Sequence, residues 1–415
     1  MFMATIFVDF GSTIAHMTSL DTDIDLVAVA EYRQRQVRQE MAACDIDAVI
    51  LTDAVNIRYA TGTRNMQIFT SRNPASRYCF LPVEGDVIMF EFTGTEHLSE
   101  GHSTVQEVRQ ARTASFVAAG PAIGEVEAAW AQDMAQLITE RCGVGAKVGI
   151  ERINAGAATA LERHGFAVVD AQEPVERARA IKSNGELKCI SASLRATEAA
   201  MAHMRDAIEP GLTENQLWSI FHQHVIAAGA DYIETRLMTA GEHTNPWFQE
   251  TSEHVITPNV LISFDTDVVG VHGYYSDFSR TFHAGPDAPT KRQRELYRYA
   301  YEQVHHNMDV ITPGMTFAEY SERAWDLPDE FAGNRYYLSA HGVGMTGEYP
   351  YLYHHQDFAD FGYDGVIEPG MTLCVESYIG KPGDSEGVKL EEQVLVTETG
   401  TELLSNFPFE KTLLT

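Results

Sequence analysis

The chain has 415 residues, of which 44% are hydrophobic and 21% charged, which is ordinary usage for a globular protein of two domains. The formal net charge is −29 and no Lys/Arg-rich run occurs, which argues against a nucleic-acid-binding protein. Five scattered cysteines without a C-x-x-C pair argue against a disulfide framework and a cysteine zinc site, and they indicate a cytoplasmic protein.

The first half of the sequence predicts alternating helices and strands. Residues 1–17 lack a basic region and are interrupted by Asp9, so we interpret them as an arm or first strand rather than a signal peptide. No stretch reaches the roughly 18 apolar residues of a membrane span. Helices are predicted at 27–43, 123–141 and 155–164, strands at 47–53, 147–153 and 165–171, and a hairpin at 77–92 that turns at Gly85-Asp86. This order predicts an α/β layer domain.

The composition shifts at residues 172–186, which predicts two domains at 1–180 and 181–415. Ser183 and Glu186 form a capping-box signal at the start of a long helix, and the same signal recurs at Thr213, Thr290 and Thr316. Strands are predicted between these helices at 259–269, 277–283, 371–379 and 387–397. The second domain is therefore expected to mix long helices with antiparallel strands, which makes the chain α/β (α+β) as a whole.

Three aspartates lie close together in the segment 264–282. Asp265 and Asp267 are two residues apart on a predicted strand, so their side chains should point to one face. Asp277 follows ten residues later, on a second predicted strand after a Gly-Tyr-Tyr turn. One of the first two aspartates could simply cap a turn. All three together on an apolar hairpin indicate a cation site, because burying unpaired carboxylates is costly.

Three further candidates lie in apolar segments nearer the C-terminus. His341 is flanked by small residues, which suits a metal ligand, although a structural histidine is the common alternative. Glu376 and Glu391 each lie inside an apolar strand, and Glu392 must point to the opposite face from Glu391. Glycines 342, 344 and 347 spell G-x-G-x-x-G, but a proline and tyrosines follow instead of a helix, so no dinucleotide site is predicted.

Together these segments offer five carboxylates and one imidazole, more than one small cation needs. Two metal ions bridged by shared carboxylates would use all six side chains. Oxygen-rich ligation with one nitrogen suits iron, manganese or zinc.

The order of these residues resembles that of the pita-bread superfamily, which includes prolidase, aminopeptidase P, methionine aminopeptidase and creatinase. Four segments carry the resemblance, namely GYYSDFSRTF (273–282), HGVG (341–344), PGMTLCVES (369–377) and GVKLEEQVLVT (387–397). The N-terminal half is similar to the creatinase-type N-terminal domain. The resemblance implies that such a domain precedes a pita-bread domain that binds two divalent metal ions.

Three departures from the peptidase pattern argue against peptide hydrolysis. Trp247 follows Pro246 where the peptidases place a histidine, and Glu348 stands at the place of a second histidine seven residues after His341. Ser377 replaces a proline after the first glutamate. A dinuclear metallopeptidase of the prolidase or aminopeptidase P type is the alternative, and a non-enzymatic partner-binding domain is a third hypothesis. Creatinase itself lacks the metal ligands that are present here.

The pattern Asp265-Thr266-Asp267 adds a carboxylate to the superfamily's usual ligand set. With Asp277, His341 and the two glutamates, it resembles the DddP-type dimethylsulfoniopropionate lyases, a metal-dependent branch of the superfamily. The resemblance implies a homodimer, usually with iron, that cleaves a small zwitterion to dimethyl sulfide and acrylate. Other methylated zwitterions, such as betaines, stay open as substrates.

Elimination requires a base for the proton next to the substrate carboxylate and a binding site for the sulfonium cation. We predict Asp267 as the base, with Asp265 and Glu348 as alternatives. Aromatic faces attract methylated cations, and several aromatic residues crowd the metal motifs. The predicted substrate-binding residues are Trp247, Tyr336, Tyr337 and Tyr275. The alternative for most of them is packing in the core or in a dimer interface.

Overall fold

A computed structural model describes residues 24–65 and 76–415 of the chain. These residues divide into two compact units, one of residues 25–179 and one that comprises residues 180–415 with Ile24. The arm or strand that we predict for residues 1–17 lies outside the described residues. Within the described ranges, no helix is long and apolar enough to cross a lipid bilayer.

The first unit is built on a mixed sheet with the strand order β4-β3-β2-β1-β5-β6. The strands are β1 (Ala48–Leu51), β2 (Tyr78–Pro82), β3 (Ile88–Glu91), β4 (Glu107–Gln110), β5 (Lys147–Ile150) and β6 (Ala167–Asp170). The helices are α1 (Leu26–Ala43), α2 (Ala54–Thr61), α3 (Phe116–Ala119), α4 (Ile123–Cys142), α5 (Ala155–Glu162) and α6 (Gln172–Ala180). The predicted hairpin is confirmed, because β2 and β3 pair antiparallel and Gly85 adopts a φ of 102° between them.

Helix α4 covers this sheet with its apolar face. Trp130 is fully buried, and its ring meets that of Tyr78 edge-on at 6.2 Å. Tyr78 in turn stacks on Phe90 of β3 at 4.5 Å. Inside the same unit, Arg77 and Glu91 form a buried ion pair with a separation of 3.0 Å between Nε and Oε2.

The second unit combines helices with three antiparallel sheets in its described residues. Its helices are α7 (Asn184–Asp206), α8 (Glu214–Ala227), α9 (Lys291–Val310), α10 (Phe317–Arg323), α11 (His355–Phe361) and α12 (Lys411–Leu414). Its strands are β7 (Tyr232–Ile233), β8 (Met238–Ala240), β9 (Val260–Asp265), β10 (Val268–Val269), β11 (Tyr275–Ser276), β12 (Ser279–Ala284), β13 (Ala340–Val343), β14 (Gly347–Leu352), β15 (Thr372–Ile379), β16 (Val388–Val396) and β17 (Thr401–Leu403). The sheet orders are β11-β10-β7, β12-β9-β8 and β14-β13-β15-β16-β17.

All four predicted capping boxes are present. Ser183, Thr213, Thr290 and Thr316 each accept a hydrogen bond from the backbone N–H three residues later, and the Glu or Gln side chain there accepts one from the backbone N–H of the cap residue. The boxes begin helices α7, α8, α9 and α10 because they satisfy backbone donors that an open helix end leaves unpaired. Strand β14 begins at Gly347, the last of the three glycines, so a strand stands where a dinucleotide-binding site would need a helix.

The aspartate segment differs from the predicted pair of continuous strands. Strand β9 ends at Asp265, and Asp267 adopts a left-handed φ of 41° before the short strand β10 begins. Asp277 lies between β11 and β12 rather than within a strand. The expectation that Asp265 and Asp267 share one strand face was therefore wrong, because the chain turns at Asp267. Short polar residues tolerate this left-handed conformation better than β-branched ones.

Behind the five-stranded sheet, a buried arginine joins β12 to β16 and the C-terminal segment. Arg280 donates to Oε1 of Glu392 at 2.7 Å and to the carbonyl oxygens of Glu391 at 2.8 Å and Phe407. Glu392 thus points away from Glu391, as strand alternation predicts.

We predict that Arg280→Ala lowers the free energy of unfolding by about 3–5 kcal/mol, because it leaves the Glu392 carboxylate buried without its cation. Denaturant titration measures the change. The matched control is Arg298→Ala, which removes an exposed partner of Glu302 and should cost less than about 1 kcal/mol. Equal stabilities of the two variants would contradict the prediction.

Candidate metal centre

The two glutamates of the site are direct neighbours across two strands. Glu376 on β15 pairs with Glu391 on β16, so both side chains leave the same face of the five-stranded sheet. His341 on the adjacent strand β13 is buried beside them. The turn between β9 and β12 brings three aspartates to this face, and Asp277 and Asp265 are buried there, whereas Asp267 is half-buried.

Side-chain ligand atoms gather in two groups that share one residue. In the first group, atoms of Asp277, His341, Cys374 and Glu391 lie within 4.8 Å of one another. In the second group, carboxylate oxygens of Asp265, Asp267 and Asp277 meet the same limit. Asp277 belongs to both groups, so it would be shared between them if each group held a metal ion.

His341 is oriented by its own strand. Nδ1 lies 2.9 Å from the carbonyl oxygen of Gly342, so a proton on Nδ1 is donated to this oxygen. The other ring nitrogen, Nε2, therefore faces the carboxylates. Nε2 lies 3.4 Å from Oε1 of Glu376, 3.6 Å from Oδ2 of Asp277 and 3.7 Å from Oε1 of Glu391. Burial lowers the pKa of His341, but the Glu376 and Glu391 carboxylates outweigh it and raise the pKa to about 9.

Lys389 is a member of the cluster that our sequence analysis missed. Its fully buried ammonium lies 2.5 Å from Oε2 of Glu376, 3.0 Å from Oε2 of Glu391 and 3.3 Å from Oδ2 of Asp265. Burial lowers the pKa of Lys389, yet these carboxylates raise it well above its ordinary value, so the ammonium stays charged. The signal was present in the sequence, because Lys389 precedes Glu391 by two residues on one strand and must share its face.

The remaining oxygens of the cluster fit metal ligation. Lys389 engages the Oε2 atoms of both glutamates, while Oε1 of Glu391 and Oδ1 of Asp277 are buried and have no hydrogen-bond partner among the described residues. A buried carboxylate oxygen without a donor is costly unless a cation meets it. The residues present therefore fit a cation bound between His341 and these carboxylates.

The aspartates are held in an environment that disfavours negative charge. Burial raises the pKa of Asp265 to about 6, although Lys389 opposes the shift. Burial and neighbouring carboxylates raise the pKa values of Asp267 and Asp277 well above their ordinary range. Tyr275 donates to Oδ1 of Asp267 at 3.1 Å, and Thr235 donates to its Oδ2.

Cys374 lies inside the first ligand group without being a sequence-predicted ligand. Its Sγ is 3.5 Å from the carbonyl oxygen of Asp277. Burial and the surrounding carboxylates raise the pKa of this thiol well above its ordinary value. Metals bind the thiolate, so Cys374 packs beside the cluster as a neutral thiol.

A cleft of about 410 Å³ opens onto the cluster. Aromatic rings and two exposed glutamates line the part of the cleft nearer to solvent. The residues at its floor are Asp265, Asp267, Asp277, His341 and Glu376. The exposed lining residues are Glu234, Phe248, Glu250, Tyr337 and Tyr351, and the buried Tyr275 and Tyr336 also line the cleft.

Three of the four predicted substrate-binding residues line this cleft, and Trp247 does not. Trp247 is buried behind it, in contact with Tyr336 and Tyr378. Phe248 is half exposed and stacks on Tyr336 at 5.2 Å, so the ring next to Trp247 faces the cleft instead. The sequence offered both residues without singling them out, because Phe248 stands beside Trp247 at the place of the peptidase histidine and Tyr351 is one of the tyrosines that crowd the metal motifs.

Glu348, the third candidate for the base, is engaged elsewhere. Its Oε1 accepts a hydrogen bond from Nζ of Lys182 at 2.5 Å, and both side chains are buried. Glu348 is not among the residues that line the cleft. The structure therefore does not bring Glu348 together with the other candidates.

The chain combines a unit built on a mixed sheet with a second unit that holds a buried carboxylate–histidine cluster. These are the features of the pita-bread metalloproteins. Residues 188–398 match the model of metallopeptidase family M24, and residues 33–181 match the creatinase/prolidase N-terminal domain. The Xaa-Pro dipeptidase of Bacillus anthracis has the same fold, with a TM-score of 0.73 at 22% identity over 92% of this chain and 99% of that one.

Two relatives match almost the whole chain. The dimethylsulfoniopropionate lyase DddP of Roseovarius nubinhibens is 34% identical over 94% of this chain and 88% of the relative. The DddP lyase of Roseobacter denitrificans is 32% identical over 96% and 90%. The Xaa-Pro dipeptidase of Lactobacillus helveticus is 30% identical over 56% and 61%. The chain belongs to the DddP-type dimethylsulfoniopropionate lyases within metallopeptidase family M24.

We predict that metal affinity falls as the pH is lowered, because His341 below a pKa of about 9 and Asp265 below a pKa of about 6 bind protons that compete with the metal. The affinity should fall by roughly tenfold per pH unit for each group that is protonated, so the fall becomes steeper below about pH 6. Equilibrium dialysis against metal buffers at about pH 5 and about pH 7.5 measures the change. Circular dichroism at both values controls for unfolding, and equal metal contents would contradict the prediction.

Proposed function

We propose that the chain is a metal-dependent lyase that cleaves dimethylsulfoniopropionate to dimethyl sulfide and acrylate by β-elimination. The observation that carries the proposal is Asp267, a half-buried carboxylate beyond the superfamily's usual set that reaches into the cleft beside the metal-type cluster. The near full-length similarity to two DddP lyases supports the same reaction.

The proposed cofactor is a pair of divalent metal ions, with iron first and manganese or zinc as alternatives. The proposed ligands are Asp265, Asp267, Asp277, His341, Glu376 and Glu391. Two divalent ions and the Lys389 ammonium together carry the positive charge that five carboxylates and a neutral imidazole require. Metal ions at these residues would act as Lewis acids on the substrate carboxylate and stabilise the negative charge that develops beside it.

Asp267 is the proposed base. Burial and the neighbouring Asp265 raise its pKa well above that of an exposed aspartate, which makes the carboxylate a stronger base for proton transfer from carbon. The carboxylate removes the proton next to the substrate carboxylate, the double bond of acrylate forms, and the electron pair of the breaking carbon–sulfur bond leaves with dimethyl sulfide. Tyr275 and Thr235 hold Asp267 in position while leaving the side chain at the cleft.

The sulfonium end of the substrate is proposed to lie in the outer cleft. Lys389 already faces the Tyr336 ring at 4.9 Å, so a second cation would be repelled from the inner face of that ring. Phe248, Tyr337 and Tyr351 offer rings farther out, and Glu234 and Glu250 add negative charge there. This arrangement orients a zwitterion with its carboxylate inward and its cation outward.

We further propose a homodimer in the cytoplasm. The homodimer follows from the resemblance to the DddP-type lyases. The five cysteines are all free, which fits a reducing compartment.

The alternative of a prolidase-type peptidase is disfavoured by two positions. Glu348, at the place of a peptidase histidine, is paired with Lys182, and Trp247, at the place of the other, is buried behind Tyr336. Neither side chain is available to handle a peptide carbonyl in the cleft.

We predict that the purified protein releases dimethyl sulfide from dimethylsulfoniopropionate and that His341→Ala does not, because it loses a metal ligand. Headspace gas chromatography and metal analysis of both proteins measure this. His306→Ala, an exposed change on α9, is the matched control and should keep both metal and activity. Absence of dimethyl sulfide from fully metallated wild type would reject the lyase, and proline dipeptides would then be tested.

We also predict that Asp267→Asn lowers kcat by about 10²–10⁴-fold while the metal content is kept, because the amide cannot accept the proton. Asp309→Asn, an exposed substitution on α9, is the control and should be silent. Full activity with full metal occupancy would exclude Asp267 as the base. Loss of metal together with activity would assign Asp267 to ligation alone.

A further inference from the structure

A second group of metal-type ligands lies apart from the cluster described above. Atoms of Glu214, His243 and His254 come within 4.8 Å of one another. Two imidazoles and a carboxylate are a common ligand set for zinc. We propose that these three residues form a separate binding site for a divalent transition-metal ion such as Zn²⁺. The reaction and cofactors proposed above do not depend on this site.

Glu214 is prepared as a ligand by the helix that carries it. It is the first residue of α8 and is fully buried. Its Oε1 accepts from the backbone N–H of Ala240 at 2.9 Å, and its Oε2 accepts from the backbone N–H and hydroxyl of Ser252 at 3.0 and 2.7 Å. These donors fix the position and orientation of the carboxylate, as the hydrogen-bonded partners of metal ligands do.

The two histidines approach this carboxylate from either side of one loop. Nδ1 of His243 lies 3.3 Å from Oε1 of Glu214, and the rings of His243 and His254 face each other at 4.1 Å with an angle of 37°. The backbone N–H of Glu214 donates to the carbonyl oxygen of His254 at 3.0 Å, which holds His254 at the helix end. The side chain of His243 is 31% exposed, so a metal ion can enter from solvent and keep water as a fourth ligand.

The position of the site relates it to the cleft. His243 and His254 bracket residues 245–252, the loop that brings Phe248 and Glu250 to the outer cleft. Phe248 adopts a left-handed φ of 73°, which a bulky side chain rarely does without support from its surroundings. A metal ion bound to both histidines would join the two ends of this loop and restrict its movement. The proposed site is thus a clip on the loop that shapes the substrate cleft.

The experiment compares the holoenzyme with a double variant, His243→Ala/His254→Gln, after equilibrium dialysis against buffered Zn²⁺. We expect the variant to hold one zinc ion per chain fewer than the wild type. Zinc that binds at the cluster around His341 contributes equally to both proteins, so the difference reports the proposed site alone. The matched control is His203→Ala/His224→Gln, which removes a histidine pair that stacks at 3.9 Å but belongs to no three-ligand group within residues 24–65 and 76–415. This control should bind as much zinc as the wild type.

Hydrogen–deuterium exchange of residues 245–252 gives the second readout. We expect Zn²⁺ to slow exchange there at least several-fold in the wild type and the control, but not in the double variant. If the double variant does not fold, the single variant His254→Gln replaces it, because the amide can still hydrogen-bond. Equal zinc contents in wild type and folded variant would overturn the site, and zinc binding without slower exchange would overturn the clip.

Discussion

The second unit depends on how five carboxylates can be buried around one point. Like charges in a poorly solvated site repel each other and raise the pKa values of the aspartates, so the cluster is stable only with cations in it. Lys389 supplies one positive charge on the side of the sheet, where its ammonium donates hydrogen bonds to Oε2 of Glu376 and Oε2 of Glu391. Oε1 of Glu391 and Oδ1 of Asp277 have no hydrogen-bond donor among the described residues, and the proposed metal ions are the cations that would satisfy them.

The two ends of the cleft also differ in the charges that they hold. The inner end holds Lys389, His341 and the proposed metal ions, whereas the outer end holds aromatic rings and the carboxylates of Glu234 and Glu250. A substrate with a carboxylate at one end and a cation at the other is therefore aligned by the field of the site before any specific contact forms.

The sequence predicted the elements and the members of the cluster better than their exact geometry. The capping boxes and the alternation in β16 were predictable because both follow from local hydrogen bonding and strand periodicity. The end of β9 at Asp265 was not, because the left-handed turn at Asp267 is stabilised by Thr235 and Tyr275 from elsewhere in the chain. Trp247 and Phe248 could not be told apart, since only the tertiary packing decides which ring faces the cleft.

The three departures from the peptidase pattern have three different structural consequences. Ser377 points to the back of the sheet and donates to Oε1 of Gln303 at 2.7 Å, so this difference does not reach the cleft. Glu348 is neutralised by Lys182, which removes a polar group from the site without leaving a free charge. Trp247 supports Tyr336 from behind. Glu348 and Trp247 thus replace groups that serve carbonyl chemistry with a buried ion pair and a buried ring, and the proposed base that remains at the cleft is the carboxylate of Asp267. A hydrolase would need a proton donor for its leaving amine, whereas a sulfonium leaves without one, so the loss of the histidines is compatible with elimination and not with peptide cleavage.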